Sequence, residues 1–245
     1  MESQMESQMI PVSINDKFQF SCSKEAPCFN ECCRDLNQFL MPYDILRLKN
    51  GMKISSEEFL GKYTLRHTGP ETGLPVVTLK PDTADQSKQC PFVTPEGCRV
   101  YEDRPSSCRM YPLARMISRS RETGEITEHY ALLKEPHCFG FGRGEPETVK
   151  EWIKSQGITL YNEMNDKLIE IISLKNRVLP GPLDMKAGSL FFMACYNLDA
   201  FRSHILNNGM PEGFNPDYMD EAVNDDVKLL DLGYQWIKFV LFGKV

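Results

Sequence analysis

The chain has 245 residues and a formal net charge of −6, from 28 basic and 34 acidic side chains. Its apolar content of 41% is that of an ordinary globular protein, and no apolar run approaches the roughly 18 residues that cross a membrane. The acidic balance disfavours a nucleic-acid binder, which would carry a basic face. The first residues have neither the basic start nor the apolar run of a secretory signal, so we expect a cytoplasmic protein that contacts neither membrane nor nucleic acid.

The chain begins with the polar tandem repeat MESQMESQ, which has no face to bury and predicts a disordered tail over residues 1–15. Two short helices are predicted further on. One covers residues 41–48 with Pro42 in its first turn, and the other starts with a capping box formed by Ser55 and Glu58. A first cysteine group precedes these helices and consists of Cys22, Cys28, Cys32 and Cys33.

The middle of the chain combines strands with more cysteines. The β-rich run 74–80 predicts a strand, and residues 115–120 and 126–133 predict a hairpin around the turn 122–125. This hairpin would bring Cys138 back towards the second cysteine group. That second group lies in a turn-rich stretch and consists of Cys90, Cys98 and Cys108.

The later part of the chain predicts a helical half. Apolar spacing and stop signals predict helices over residues 146–156, 160–178, 190–208 and 221–242. The predicted fold class is therefore α+β. A loop-rich cysteine domain with short helices and a β-hairpin covers residues 16–145, and a mainly α-helical region covers residues 146–245 and packs on it. Cys195 lies among apolar residues of the third helix, where a thiol behaves as a small hydrophobe, so we leave it out of the ligand set.

The remaining eight cysteines predict metal binding, because grouped thiols in a reducing compartment are more often ligands than disulfides. The predicted ligands are Cys22, Cys28, Cys32, Cys33, Cys90, Cys98, Cys108 and Cys138. Four thiolates around a divalent metal or an oxidised four-iron cluster leave a net charge of about −2, which arginine is suited to stabilise. Arg34, Arg99 and Arg109 each follow one of these cysteines directly. These arginines are either a solvated face or neighbours of the anionic site.

The spacing of the cysteines bears on the identity of the metal. Structural zinc sites usually contain Cys-x-x-Cys pairs, which this chain lacks, whereas iron–sulfur clusters accept wider loops. We therefore favour an iron–sulfur cluster over zinc, and eight thiolates could hold either two four-thiolate sites or one [4Fe–4S] cluster with spare cysteines. Successive side chains diverge, so Cys32 and Cys33 would serve different metal atoms. His137 is a weaker candidate ligand because it adjoins a cysteine, and His67 and His129 are expected to be polar surface residues.

Two blocks of sequence carry a family resemblance. The first contains Cys32-Cys33-Arg34, PYDILRL and SSEEFL. The second contains Cys90-Pro91-Phe92, Cys98-Arg99-Val100-Tyr101-Glu102-Asp103-Arg104-Pro105 and Cys108-Arg109-Met110-Tyr111-Pro112. Residues 20–145 resemble, on these motifs, the YkgJ-type cysteine-cluster proteins, the zinc- or iron-chelating CxxCxxCC family. The resemblance implies a metal-binding domain with eight cysteine ligands, although the gaps after Cys22 and Cys28 are wider than the two residues of the family's name motif.

Three classes of function stay open. The first is a cytoplasmic metal- or iron–sulfur-binding protein in electron transfer, metal handling or support of another enzyme. The second is an enzyme, because flagellin lysine N-methylases resemble the family in their cysteine cluster, although this chain has no G-x-G-x-x-G loop. The third is an interaction module in which zinc only holds the loops and the helical half binds a protein partner. No catalytic residue is assigned.

Overall fold

The structure is a computed structural model, and it describes residues 7–34, 37–70, 72–82, 88–119 and 125–243. The strands in these residues are β1 (Gln8–Val12), β2 (Lys17–Phe20), β3 (Phe39–Leu40), β4 (Thr64–Thr68), β5 (Pro75–Leu79), β6 (Val93–Thr94), β7 (Gly97–Cys98), β8 (Leu113–Arg119), β9 (Ile126–Lys134) and β10 (Phe141–Thr148). The α-helices are α1 (Pro42–Met52), α2 (Ser56–Tyr63), α3 (Ser106–Met110), α4 (Val149–Ser155), α5 (Thr159–Val178), α6 (Met185–Cys195), α7 (Leu198–Asn208), α8 (Pro216–Ala222) and α9 (Asp226–Phe242). Small antiparallel sheets with a helical C-terminal half confirm the predicted α+β class. Among the described helices, none has the length and apolar character to cross a bilayer.

The chain forms two compact units whose division differs from the boundary predicted at residue 145. The described residues up to Arg34, together with Phe92–Arg99 and Ser106–Leu160, form the first unit. The second unit takes the described residues of Asp35–Pro91, Val100–Pro105 and Tyr161–Val245. Much of the predicted cysteine domain therefore groups with the helices, and α4 groups with the first unit. That the helical half packs on the cysteine domain stays a prediction.

The first unit is built on a three-stranded antiparallel sheet in the order β1-β9-β8. Its β8–β9 pair confirms the predicted hairpin, with Leu113 opposite Leu132. Residues 122–124 of the predicted turn lie outside the described residues. The predicted disordered tail is wrong for Gln8–Val12, because β1 pairs with β9 from Gln8 opposite Lys134 onwards. Backbone hydrogen bonds hold this edge strand. Because such bonds do not depend on side-chain type, the polar composition of the segment did not predict the strand.

The core of the first unit is aromatic, and it contains Phe18, Phe20, Met110, Leu113, Tyr130, Val149, Trp152 and Ile158. The predicted helix 146–156 begins later than expected, at Val149, because Pro146 and the two residues after it pair with β2. Thr148 then caps α4 in a capping box with Glu151. The indole N–H of Trp152 donates to the Met110 carbonyl at 3.1 Å, which ties α4 to the chain beside α3.

The second unit contains most of the helices, and two of the predicted ones are interrupted. The predicted helix 190–208 is two helices, because the Asn197 side chain accepts from the Ala200 N–H and starts α7. The predicted helix 221–242 is also divided, since Asp225 caps α9. The prediction for residues 160–178 is confirmed by α5, and Ser55 caps α2 by accepting from the Glu58 N–H. Helix α1 runs past Leu48 to Met52.

A nearly buried lysine joins three helices of this unit. Lys49 on α1 has a side chain only 6% exposed, and its Nζ lies 2.8 Å from Asp226 Oδ2 at the start of α9 and 3.8 Å from Asp199 Oδ2 on α7. Arg202 pairs with both carboxylates. Burial opposes ionisation of Asp226, but hydrogen bonds and positive charge from Lys49 outweigh it and lower the pKa of that carboxyl. Lys49 and Arg202 therefore share the compensation of the two carboxylates, and Lys49 is the more deeply buried cation.

We expect Lys49→Ala to lower the free energy of unfolding by about 3 kcal/mol, because removing one partner leaves buried carboxylate charge undercompensated. Lys228, which pairs with Glu221 at the surface, is the matched control. Lys228→Ala should leave stability unchanged within error, because exposed ion pairs contribute little. Urea unfolding followed by circular dichroism measures both. Equal effects of the two variants would contradict the role assigned to Lys49.

Candidate metal centre

The ring of Phe20, at the end of β2, organises the segments that carry the cysteines. It makes edge contacts with Tyr111, Phe141 and Trp152, at centroid distances of 5.7, 5.3 and 5.7 Å. Gly140 lies against the same ring, and a Cβ atom at that position would come within 2.5 Å of Phe20 Cε2. Because no other residue type fits this contact without displacement, the chain just after Cys138 is held close to the end of β2.

Four of the eight predicted ligands line one cavity of about 30 Å³ in the first unit. The lining residues are Cys22, Cys28, Cys32 and Cys138, together with Phe20, Ala26, Tyr111, His137 and Gly140. The first and last of these cysteines lie two residues from Phe20 and Gly140, which are in direct contact. The Ser21 N–H also donates to the Gly140 carbonyl at 3.1 Å. Packing and backbone bonding thus bring together cysteines that are far apart in sequence.

The loop between Cys22 and Cys33 is a run of tight turns. The N–H groups of Ala26, Phe29 and Glu31 each donate to the carbonyl three residues earlier, at 2.9–3.0 Å. Ala26 is the buried side chain of this loop, at 4% exposure. From outside the loop, the Phe139 N–H donates to Cys28 Sγ at 3.2 Å. An amide directed at sulfur stabilises negative charge there, as a metal-bound thiolate requires.

Cys32 and Cys33 lie in a short 3-10 helix, Glu31–Cys33. The two thiols lie close to each other, because a hydrogen bond from Cys33 lowers the pKa of Cys32 to about 7, against the opposing effect of partial burial. That the two sulfurs serve different metal atoms stays a prediction. The tight 3-10 turn accounts for this proximity. The Cys32 thiol is therefore partly ionised at neutral pH, which is the state in which sulfur binds metal.

The other predicted ligands are not among the residues that line this cavity. Cys98 ends the small β6–β7 hairpin, which is tied to the first loop because the Asn30 side-chain amide donates to the Thr94 carbonyl at 2.8 Å. Cys108 lies on the exposed side of α3. Cys33 and these two belong to the first unit, whereas Cys90 belongs to the second unit. The full set of eight ligands stays a prediction.

The thiols line the cavity without converging on one point. Across the described ranges, no group of three or more His, Cys, Asp and Glu side chains is already arranged to hold a metal ion. Cys22 and Cys32 are exposed at the edge of the cavity, Cys22 on irregular chain and Cys32 in the short 3-10 helix. The donor set fits a soft metal, because four thiols share one wall, and closure of the loop would complete the coordination.

The arginines that follow cysteines have other contacts in the structure. Arg34 pairs with Glu31 at 3.5 Å on the surface. Arg109 is buried, and its Nη1 donates to the Gln156 carbonyl at 2.7 Å, at the end of α4. This bond stabilises the C-terminus of α4, so Arg109 has a structural function. A role of these arginines as counter-charges to the metal site stays a prediction.

Sequence reasoning gave no site role to Tyr111 and only a weak one to His137, and both line the cavity. Tyr111 belongs to the motif around Cys108, but the sequence does not show in which direction its side chain points. His137 was discounted because it adjoins Cys138, yet it lines the cavity, and its Nε2 lies 3.6 Å from Glu135 Oε2. In a loop, adjacent side chains need not alternate as they do in a strand.

Cys195 lies apart from this chemistry. It ends α6 in the second unit, its side chain is 0% exposed, and burial raises the pKa of its thiol. A buried thiol of this kind is inert and acts as a small apolar side chain. The predicted burial of Cys195 is confirmed.

Several loop thiols line one cavity, and one of them accepts a backbone N–H. These features are typical of thiolate metal-binding domains. Comparison with protein families gives the same answer. Residues 21–138 match the CxxCxxCC family, described as "Putative zinc- or iron-chelating domain". This segment matches the family that the motifs resemble, and the matched residues include all eight predicted ligands but not Cys195. No curated protein and no solved structure matches the chain.

We expect Gly140→Ala to destabilise the first unit by about 1–3 kcal/mol and to weaken metal binding, because the added methyl group overpacks the Phe20 contact. Gly61→Ala is the control, since a Cβ at this helical position meets nothing within 4 Å. It should stabilise the protein by about 0.5–1 kcal/mol and leave metal content unchanged. Chemical unfolding and elemental analysis give both values. Unchanged metal content in Gly140→Ala would show that the contact does not position the site.

Cysteine variants test which thiols bind the metal. Cys28→Ala and Cys138→Ala should lower metal stoichiometry, because each removes a thiol from the cavity. Cys195→Ala should keep the full metal content and cost about 1–2 kcal/mol, as an ordinary core truncation does. Elemental analysis of each purified variant is the measurement. Loss of metal in Cys33→Ala and Cys108→Ala as well would extend the ligand set beyond the cavity, and loss in Cys195→Ala would contradict it.

Proposed function

We propose that the cavity formed by Cys22, Cys28, Cys32 and Cys138 is the metal site of this domain, and that it holds an iron–sulfur cluster. The observation that carries the proposal is that three thiols of the Cys22–Cys33 loop line one cavity together with Cys138, which is more than 100 residues away in sequence. The wide gaps between these cysteines support a cluster, because iron–sulfur clusters accept irregular loops more readily than structural zinc sites do. The match of residues 21–138 to a zinc- or iron-chelating family supports metal binding by this segment.

The surrounding residues favour a thiolate site in three ways. The low pKa of Cys32 supplies one sulfur that is already partly ionised at neutral pH. The Phe139 N–H stabilises charge on Cys28. The rings of Phe20 and Tyr111 form an apolar wall that limits the access of water. A cluster bound there would supply one-electron chemistry, with a potential set by these hydrogen bonds and by solvent exposure.

A single zinc ion is the second candidate, and the size of the cavity favours it. About 30 Å³ is room for one or two water-sized atoms, since a cavity needs roughly 10–15 Å³ of such volume for one water. A four-iron cluster would require the loop that carries Cys22 and Cys32 to move outwards. Four thiolates around one zinc would form a closed structural site.

The biological role proposed for the protein is cytoplasmic electron transfer, metal handling or support of another enzyme. In each of these roles the centre passes electrons or metal to a second protein or supports its activity. An interaction of the helical half with a partner protein is therefore part of the proposal. Protein lysine methylation stays the enzymatic alternative. A binding assay with the methyl donor S-adenosylmethionine tests that alternative directly.

Protein purified without oxygen after iron-replete expression should be brown, with broad visible absorption that bleaches with dithionite, because iron–thiolate charge transfer absorbs in this range. Iron and acid-labile sulfide should be present in equal amounts. Cys138→Ala should lose the colour, and Cys195→Ala should keep it. Colourless wild-type protein with stoichiometric zinc would replace the cluster with the zinc alternative, and colourless protein without any metal would contradict both.

A further inference from the structure

The Tyr111 side chain presents a buried hydroxyl to the wall of the four-cysteine cavity. Its ring is fixed against Phe20, and both Tyr111 and Cys138 line the cavity and pack against the aromatic core. The Oη atom is inaccessible to solvent and has no hydrogen bond of normal geometry in the described structure. A buried donor without an acceptor is costly, and such atoms are rare unless something absent completes them.

Two acceptors lie close enough to influence this hydroxyl. They are Cys138, which lines the same cavity, and Glu135, and the hydroxyl can donate to either because a phenol is protonated at neutral pH. Glu135 is 35% exposed and lies beside His137, so water and that imidazole can satisfy its carboxylate. Cys138 is different. As a neutral thiol it is a weak acceptor, but as a metal-bound thiolate it accepts a short, charge-assisted hydrogen bond.

We propose that Tyr111 donates a hydrogen bond to the Cys138 thiolate in the metal-loaded protein and is a positioning residue of the site. The inference rests on the proposed metal site and adds to it a polar contact around the sulfur. Hydrogen bonds to ligand sulfur orient the ligand and stabilise its negative charge. Tyr111 therefore increases metal affinity and, with a redox-active metal, favours the reduced state.

Tyr111→Phe tests the proposal, because phenylalanine keeps the ring contact with Phe20 and removes only the hydroxyl. With Co²⁺ as the probe, chelator competition should show affinity about 10–100-fold weaker than that of the wild type. The thiolate-to-cobalt charge-transfer band should move to longer wavelength, because a sulfur without its hydrogen bond gives up electron density more easily. A purely structural role would not move this band.

Tyr130→Phe is the matched control. The Tyr130 hydroxyl donates to Glu128 Oε2 at 2.6 Å in the same unit but does not line the cavity. This variant should leave both the affinity and the band unchanged. Glu135→Gln removes a negative charge near the thiols, so it should tighten binding, opposite in sign to Tyr111→Phe. Weaker binding in Glu135→Gln, equal to that in Tyr111→Phe, would show that the tyrosine serves the carboxylate and would overturn the proposal.

The remaining outcomes are also decisive. Wild-type affinity and band position in Tyr111→Phe would overturn the proposal, and so would weaker binding without a band shift. Wild-type protein that binds no Co²⁺, zinc or iron would refute the metal site itself. That result is seen before any variant is compared, so the two failures are distinguishable.

Discussion

The packing of Phe20 against Gly140 is the constraint on which the candidate metal centre depends. The two residues come from distant parts of the first unit, and each stands two positions from a cavity cysteine. Three further rings surround Phe20, so its position is set by the core rather than by the loop. A rigid aromatic contact thus brings Cys22 and Cys138 to the same cavity.

The rest of the site has much weaker support. The loop from Cys22 to Cys33 buries little apolar surface and is held by short-range turns. Burial is the main source of stability in a folded chain, so a loop of this kind gains most from a cross-link. The thiols line the cavity without converging, which is the arrangement expected of a segment whose final geometry is set by the metal it binds.

Charge in the first unit is balanced locally. The Phe139 N–H and the Cys33 thiol both donate to sulfur, and these neutral donors stabilise thiolate charge without adding a cation. The buried Arg109 is engaged at the end of α4 instead. In the second unit, negative charge is stabilised by cations instead, since Lys49 and Arg202 form ion pairs with two carboxylates. Ion pairs such as Arg34–Glu31 also occur in the first unit, but the contacts described for its cavity sulfurs are hydrogen bonds from neutral donors.

The sequence by itself determined the elements whose cause is local. Ser55 with Glu58 starts α2, the turn residues between two strand-like runs predict the β8–β9 hairpin, and the cysteine motifs resemble the family that matches residues 21–138. The same local reasoning wrongly predicted α6 and α7 as one helix. The break lies at Asn197, whose side chain caps the start of α7, and the apolar pattern continues across it. Local reasoning also missed β1, whose strand is held by the backbone of β9.

Only the tertiary structure decided which thiols share a cavity. Eight cysteines within one family motif are equivalent on paper, and nothing in their spacing separates Cys138 from Cys90. The distinction comes from the Phe20 contact and from the division into two units, both of which depend on pairs of residues remote in sequence. The sequence specifies the chemistry of the ligands because that chemistry belongs to single side chains. Their grouping depends on packing between distant segments, which no local pattern encodes.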